Sequence, residues 1–340
     1  KILIIRLDKI GDVLLSTPVI KAVRQANPAS HIAFMVQPYC QEVVEGNPYL
    51  NEVIIYDKEE AEKGILGNLA FILKLGRHRF DLAIILHPTN RTHIITFLAG
   101  IPERVGYDKK MGWLLTKRIP HAKQFGLKHE IDYTLDILRY IGIEPKDRTL
   151  YMPVNDGSEL KIKNILKVNS VADDEILIAI HPGASCPSKK WPLENFVKAA
   201  NSLTSIYKTR IVVLSGTREK ALGDEMANSI RPAPINLSGR TTVGDLASIL
   251  RRSKLLISND SGPVHIACAV GTPVIAIFGR NDRGLSPTRW GPAGKGDRVL
   301  HKDVGCDVCL AHNCKIGFKC LEAITVEEVL AAAAASLNKS

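Results

Sequence analysis

The sequence contains no apolar run approaching the ~20 residues that a membrane-spanning helix needs, which excludes an integral membrane bundle. Its first residues hold one lysine and a short apolar run that ends at Arg6 and Asp8, so no secretory signal is read there and a cytoplasmic location is expected. Aromatic residues make up only 6%, and no run of Lys and Arg exceeds two, which argues against a nucleic-acid binder. Three phosphate-handling signatures are also missing: a G-x-x-x-x-G-K-[ST] loop, a G-x-G-x-x-G after a strand, and a D-x-D pair of the metal–diphosphate kind. The second absence disfavours a nicotinamide oxidoreductase built on two dinucleotide folds.

What is present is the 45% apolar, 24% charged profile of an ordinary globular protein. Forty-five Lys and Arg against 35 Asp and Glu leave a net charge of +10. That excess either serves solubility or points to an anionic partner. A length of 340 residues predicts two domains of roughly 150 to 180 residues each. Strand-like runs at 2–7, 31–36, 52–56, 81–86 and 104–107 alternate with helical patterns at 13–26, 61–77, 93–99 and 130–141. A polar stretch at 155–175 reads as a linker with a short helix, after which strands at 176–181, 210–215, 235–237, 255–259 and 274–278 resume the alternation. Strand alternating with helix predicts parallel sheets covered on both faces. The reading is therefore α/β, with doubly wound domains at 1–155 and 156–324 facing across a cleft. A C-terminal helix at 325–340, with Thr325 as N-cap, could return to the first domain.

In such sheets ligands sit outside the carboxyl ends of the strands, and three strand exits carry unusual residues. "SNDSGPVH" (258–265) opens a helix with small residues, where orphan N–H groups and the positive dipole end favour a phosphate. Gly262 permits close approach, Pro263 has no N–H to orphan, and His265 lies in the first turn. "HPGASCPSKKWP" (181–192) places Gly183, Ser185 and Ser188 before Lys189, an ammonium able to neutralise a diphosphate. A plain helix cap and two surface lysines are the competing readings. Glu219 in "SGTREKA" is either a ribose acceptor or an exposed helix-start acid. The first exit, "RLDKIGDVLL", has one glycine, Gly11, and then Asp12, a poor neighbour for phosphate and a good general base. Near a helix N-terminus it stays ionised, and an acid that merely caps the helix or complements its dipole fits the same position.

Four of seven cysteines cluster as C-x2-C-x4-C-x5-C in "CDVCLAHNCKIGFKC": Cys306, Cys309, Cys314 and Cys320. The spacing suits a structural zinc, or thiols that pin a loop in reduced or disulfide form, with no catalytic role either way. Cys40, Cys186 and Cys268 are scattered and read as free thiols.

Taken together, "RLDKIGDVLLSTPVIKAVRQANP", "LAGIPERVGY", "HPGASCPSKKWPLENF", "SNDSGPVHIACAVGTPVIAIFG" and "CDVCLAHNCKIGFKCLEAIT" resemble glycosyltransferase family nine, in order and over about residues 2 to 330. These are the ADP-heptose:lipopolysaccharide heptosyltransferases. The resemblance implies a GT-B fold of two Rossmann-like domains, with acceptor on the first and nucleotide sugar on the second. It implies an inverting, metal-independent transfer with no cofactor. Asp12 matches the family's general base and Lys189 the lysine at the donor phosphates. Asp260 matches the acid at the donor sugar; Ser261, Gly262, Pro263 and Val264 match the diphosphate-holding backbone, and His265 a phosphate-side histidine. Glu219 and the backbone near Thr241 fit ribose and adenine. Gly11, Arg91 and Arg104 are candidates on the acceptor side, the arginines for carboxylates or phosphates of a Kdo-containing glycolipid, with ordinary surface arginines as the alternative. The expected partners are ADP-heptose, an anionic lipopolysaccharide-core acceptor and the inner face of the cytoplasmic membrane. The alternatives are a family member with another donor or acceptor, and a sugar-nucleotide epimerase on the same scaffold. The cysteine-rich tail leans toward the second heptosyltransferase type.

Overall fold

The computed structural model describes residues 1–306 and 309–338. The chain divides into two units, Lys1–Pro153 and Val154–Ser340, two residues from the boundary read in the sequence.

The first unit runs β1 (Ile2–Ile5), α1 (Ile10–Leu14), α2 (Thr17–Ala26), β2 (Ile32–Val36), α3 (Gln41–Val44), β3 (Glu52–Ile55), α4 (Ile65–Arg77), β4 (Leu82–Ile85), α5 (Asn90–Leu98), β5 (Glu103–Asp108), β6 (Lys117–Pro120) and α6 (Glu130–Tyr140). Its strands form one parallel sheet in the order β3-β2-β1-β4-β5-β6. β1 is an unbroken apolar run, fully buried, as a central strand covered on both faces must be. The helix expected at 13–26 is two helices. Ser16 Oγ donates to Asp12 O, Thr17 Oγ1 donates to Leu14 O, and Pro18 starts the second one, so the backbone re-initiates there.

The second unit runs α7 (Asp156–Val168), β7 (Leu177–His181), α8 (Leu193–Tyr207), β8 (Arg210–Val213), α9 (Lys220–Ser229), β9 (Ile235–Asn236), α10 (Val243–Arg252), β10 (Leu255–Asn259), α11 (Gly262–Val270), β11 (Val274–Phe278), α12 (Pro287–Trp290), β12 (Arg298–His301), α13 (Lys319–Glu322) and α14 (Val326–Leu337). Its parallel sheet has the order β12-β11-β10-β7-β8-β9. The order reverses between β1 and β4 in one unit and between β7 and β10 in the other, and those two gaps are where ligands are expected.

Two strands escaped the sequence reading, β6 and β12. Both are edge strands, and the charges that blunt them (Lys117 and Arg118, with Pro120; Arg298) hide the apolar signature. α14 has a Thr325–Glu328 capping box, and its Val329, Ala332, Ala333 and Leu337 join the core beside Phe196 and Leu203 of α8. The helix thus packs into the core of the second unit.

Candidate active site

In the first unit the chain leaves β1 into a buried charge network. Arg6 is 2% exposed and acts as the hub. Its Nε donates to Asp8 Oδ1 at 2.7 Å, one terminal nitrogen to Asp12 Oδ1 at 2.9 Å, and the other to Glu130 Oε1 at 3.1 Å. Lys123 Nζ reaches the same Glu130 oxygen at 2.7 Å, and His87 Nδ1 lies 3.2 Å from Asp8 Oδ2. Three carboxylates therefore share two fixed cations. Burial lowers the affinity of Arg6 for its proton, but Asp8, Asp12 and Glu130 together raise it further, so it stays charged. Burial pushes Asp12 up, Asp8 and Glu130 add to this, Arg6 opposes it, and the result is about 6. Asp12 is thus ionised at neutral pH, as expected, but as a far better base than an ordinary aspartate. His87 is pushed down to about 4 by burial and by Arg6, so its imidazole is neutral there.

Asp12 does not cap α1, since Lys9 occupies the N-cap and the carboxylate bonds Arg6, but it does lie in the first turn, where it complements the dipole. Gly11 lies in the first turn of α1. Arg91 is exposed in the first turn of α5, its guanidinium 5.9 Å from the Tyr56 ring centre. Arg104 is a correction. It sits near the amino end of β5, and its guanidinium donates to the carbonyls of Leu114 at 2.8 Å, Ile101, and Pro102 at 3.2 Å, while stacking on Phe97. With Nε and one terminal nitrogen committed to backbone at the sheet edge opposite Asp12, it fastens the fold rather than offering itself to an acceptor.

In the second unit five strand exits contribute. The loop after β7 carries Gly183, Ser185, Ser188 and Lys189, and that after β8 carries Glu219. The loop after β9 carries Thr241, just before Thr242, which caps α10. β10 leads into Asp260, Ser261 and α11, and β11 into Arg280. Lys189 Nζ and a terminal nitrogen of Arg280 converge on one oxygen, Asp260 Oδ2, at 2.8 and 2.7 Å. Beside them, α11 starts at Ser261 without a side-chain cap, because the Ser261 hydroxyl is engaged with Ser258 Oγ (3.0 Å) and His181 Nδ1 (3.3 Å). Pro263 has no N–H and that of Val264 bonds Ser261 O at 3.2 Å, so the Gly262 N–H is the one left for a ligand. Pro263 begins the helix, while Val264 and His265 are buried in its first turn. Burial pushes His181 down to about 4, so no positive charge is added there at neutral pH.

Two small contacts set this geometry. A Cβ on Gly183 would stand 2.2 Å from Glu219 Oε2, so only glycine lets that carboxylate come close enough to accept the Ala184 N–H at 2.8 Å. Glu219 thereby ties the β7 exit to the β8 exit. Asn259, fully buried, accepts from the Trp191 N–H at 3.0 Å and donates to Pro182 O at 2.7 Å, gripping both ends of the lysine loop. Ser188 is buried and Ser185 exposed in that loop.

Several members went unforeseen: Arg6, Asp8, His87, Lys123 and Glu130 in one unit, Asn259 and Arg280 in the other. Asp8 and Asn259 were visible at strand exits. Arg280 carried a weaker signal, the "FGRN" exit of β11, where its left-handed backbone (φ 61°) turns the chain. Glu130 is 124 residues from Arg6 and gave none.

All seven cysteines are free thiols, so the disulfide form is not seen. Cys306, Cys309, Cys314 and Cys320 line a cavity of about 270 Å³ with Lys315 and Lys319, and burial with the neighbouring thiols and Asp303 pushes Cys306 up. Among the described residues no three His, Cys, Asp or Glu are placed to hold a metal ion, so the zinc reading finds no preformed ligand set.

Each unit is a Rossmann-like doubly wound sheet, and charged side chains gather at the carboxyl ends of its strands. The family model described as glycosyltransferase family 9 (heptosyltransferase) matches residues 68–319, and the chain belongs to that family. Lipooligosaccharide heptosyltransferase 2 of Haemophilus influenzae is 25% identical over 311 residues, covering 84% of this chain and 85% of the relative. A glycosyltransferase family 9 structure from Veillonella parvula superposes with a TM-score of 0.91 at 27% identity, covering 100% of this chain and 97% of that one. The structure of ADP-heptose lipopolysaccharide heptosyltransferase II from Escherichia coli gives 0.81 at 22%, covering 100% and 99%.

Proposed function

We propose that this glycosyltransferase moves a heptose from ADP-heptose to the inner core of lipopolysaccharide, inverting the anomeric centre, with Asp12 as general base. The observation that carries the reading is the pair of cations, Lys189 and Arg280, held 2.8 and 2.7 Å from Asp260 beside the uncapped start of α11. Two cations on one carboxylate, with the helix start and its Gly262 N–H alongside, leave a positive site suited to a diphosphate. The heptosyltransferase relatives supply the sugar and the acceptor class.

In this reading the start of α11 and Lys189 take the diphosphate, while Asp260 and Glu219 accept from sugar hydroxyls. Gly183, Ser185, Ser188, Thr241, Ser261, Gly262, Val264 and His265 line the donor site. Gly11 and Arg91 serve the acceptor. Asp12 accepts the proton of the acceptor hydroxyl as that oxygen bonds to the anomeric carbon from the face opposite the leaving group. The bond from that carbon to the phosphate oxygen breaks, and ADP leaves with the electron pair. Lys189, Arg280 and the helix terminus stabilise its charge, the role a metal plays in other transferases. A diphosphate leaves without an acid, so one carboxylate suffices. The acceptor is an anionic glycolipid at the cytoplasmic face of the membrane, consistent with the +10 net charge. No helix among the described residues is long and apolar enough to cross a membrane.

The test is ADP release from ADP-heptose with and without a truncated core glycolipid. Release that depends on acceptor supports the reading. Acceptor-independent turnover would mark an epimerase, and silence toward ADP-heptose would sink the donor assignment. Lys189→Ala should weaken ADP binding, and unchanged affinity would remove Lys189 from the site.

A further inference from the structure

Large apolar side chains stand in solvent along the first unit. α4 buries Phe71, Ile72 and Leu75 but leaves Ile65 81%, Leu66 82% and Leu73 68% exposed, with Leu69 also outward. Positions 66, 69, 70 and 73 repeat at three and four residues, so they form one outward stripe beside the buried one. The turn after β5 leaves Trp113 66% exposed, and the loop after β6 exposes Phe125 and Leu127. A monomeric surface seldom collects apolar bulk like this without a partner.

Two stretches that carry these side chains hold charges of one sign, although Glu62 and Asp108 directly precede them. From Lys63 to Arg79 the chain carries four Lys and Arg and no carboxylate; from Lys109 to Lys128 it carries six and again none. The whole chain, by contrast, has 45 cations to 35 anions. Some of the ten are spoken for: Lys123 holds Glu130, while Lys117, Arg118 and Lys128 pair with Glu103, Asp108 and Asp136. The other six, Lys63, Lys74, Arg77, Arg79, Lys109 and Lys110, are exposed. Exposed Glu59 and Glu60 stand just upstream of the first segment.

Topology places much of this beside the candidate base. The strands are parallel, so the loops leaving β3, β5 and β6 emerge at the same sheet edge as the loop leaving β1, which carries Asp12. The loop from β3 delivers Ile65 and Leu66, the loop from β5 delivers Lys109, Lys110 and Trp113, and the loop from β6 delivers Phe125 and Leu127.

We propose that this rim, Ile65, Leu66 and Leu69 of α4 together with Trp113 among the surrounding lysines, docks the enzyme on an anionic phospholipid bilayer. Apolar side chains flanked by lysine and arginine insert at the headgroup boundary, and anionic lipid draws the cations to it. A second copy of the chain is the poorer occupant: a two-fold contact through this face would set basic rim against basic rim. The proposal rests on the glycolipid-acceptor reading only for its purpose, which is to bring a headgroup sugar to Asp12.

The test is co-sedimentation of the full chain with vesicles of phosphatidylcholine alone or mixed with phosphatidylglycerol, with neither donor nor acceptor present. The chain should sediment with the mixed vesicles, and less so as salt rises. The triple variant Leu66→Ser, Leu69→Ser, Trp113→Ser should partition about tenfold more weakly or worse. Lys109→Glu with Lys110→Glu should lose the preference for anionic lipid. Unchanged thermal melting and unchanged turnover on a delipidated, soluble acceptor show that these variants fold; if the triple variant does not, Leu66→Gln alone replaces it. The docking surface is overturned if the wild type ignores anionic vesicles at low salt, or if the triple variant sediments like wild type. A wild-type dimer that the triple variant turns into a monomer would also overturn it, making a second copy the occupant. Because vesicle binding is read without substrates, it stands or falls apart from heptosyl transfer.

Discussion

Replacing Asn259 by alanine should damage the donor site from behind. The side chain is fully buried, and its two bonds join the strand exit of β10 to both ends of the lysine loop, at Pro182 O and the Trp191 N–H. Alanine leaves that carbonyl and that N–H buried without this partner, at about 1–3 kcal/mol each, so a loss of about 2–6 kcal/mol is expected. For a unit of the size of Val154–Ser340 this lowers the melting temperature by roughly 4 to 24 °C. Stability alone would not show that the loop had moved, so the comparison is Leu203→Ala. Leu203 is fully buried on α8, and its truncation costs about as much through a cavity. Lys189 is carried between the two anchors, so Asn259→Ala should weaken ADP binding about tenfold, the worth of one charge-assisted contact, while Leu203→Ala leaves it unchanged. Differential scanning calorimetry gives the first quantity and titration calorimetry the second. A melting shift within about a degree refutes the burial argument. Equal ADP affinities in the two variants refute the claim that Asn259 positions the lysine.

With Asp12 at about 6, kcat/KM should rise with pH through that value to a plateau, because only the carboxylate form takes the proton. Glu130→Gln removes a charge that raises Asp12, so its limb should move to lower pH; an unmoved limb would assign it to another group. The same shift works against stability: the folded Asp12 holds its proton above the ordinary 3.8, so its favourable contribution is present below that value and lost as pH rises through about 6, which melts across this window should show. Gly183→Ala forces the Glu219 carboxylate off the Ala184 N–H, at a cost of about 1–3 kcal/mol. Adding Glu219→Ala should relieve most of that cost, and strictly additive effects in the double-mutant cycle would show that the clash is not what hurts.

The alternation of apolar runs with helix-period segments was enough to predict two parallel α/β sheets, because central strands such as β1 are apolar throughout. What the sequence hid was at the edges, where β6 and β12 carry charges that guard a sheet margin. Lys189 and Asp260 were legible because each lies in the stretch by which the chain leaves a strand, Asp260 directly and Lys189 within the loop after β7. Their contact, and the Arg280 that joins it, were not, since pairing between strand exits depends on a strand order that no local pattern reveals. Arg104 misled for the same reason: an arginine near a loop reads alike whether its guanidinium faces solvent or fastens three carbonyls. Arg6 read as the end of an apolar strand, and only the fold shows it as the hub that sets the basicity of Asp12.

The most direct test of the central claim is Asp12→Asn, assayed for acceptor-dependent ADP release and, separately, for ADP binding. Asparagine keeps the shape and the oxygen that faces Arg6 but cannot accept the acceptor's proton. Turnover should fall by about 10²- to 10⁴-fold while the Kd for ADP stays within about twofold. Turnover at the wild-type rate in this variant would contradict it.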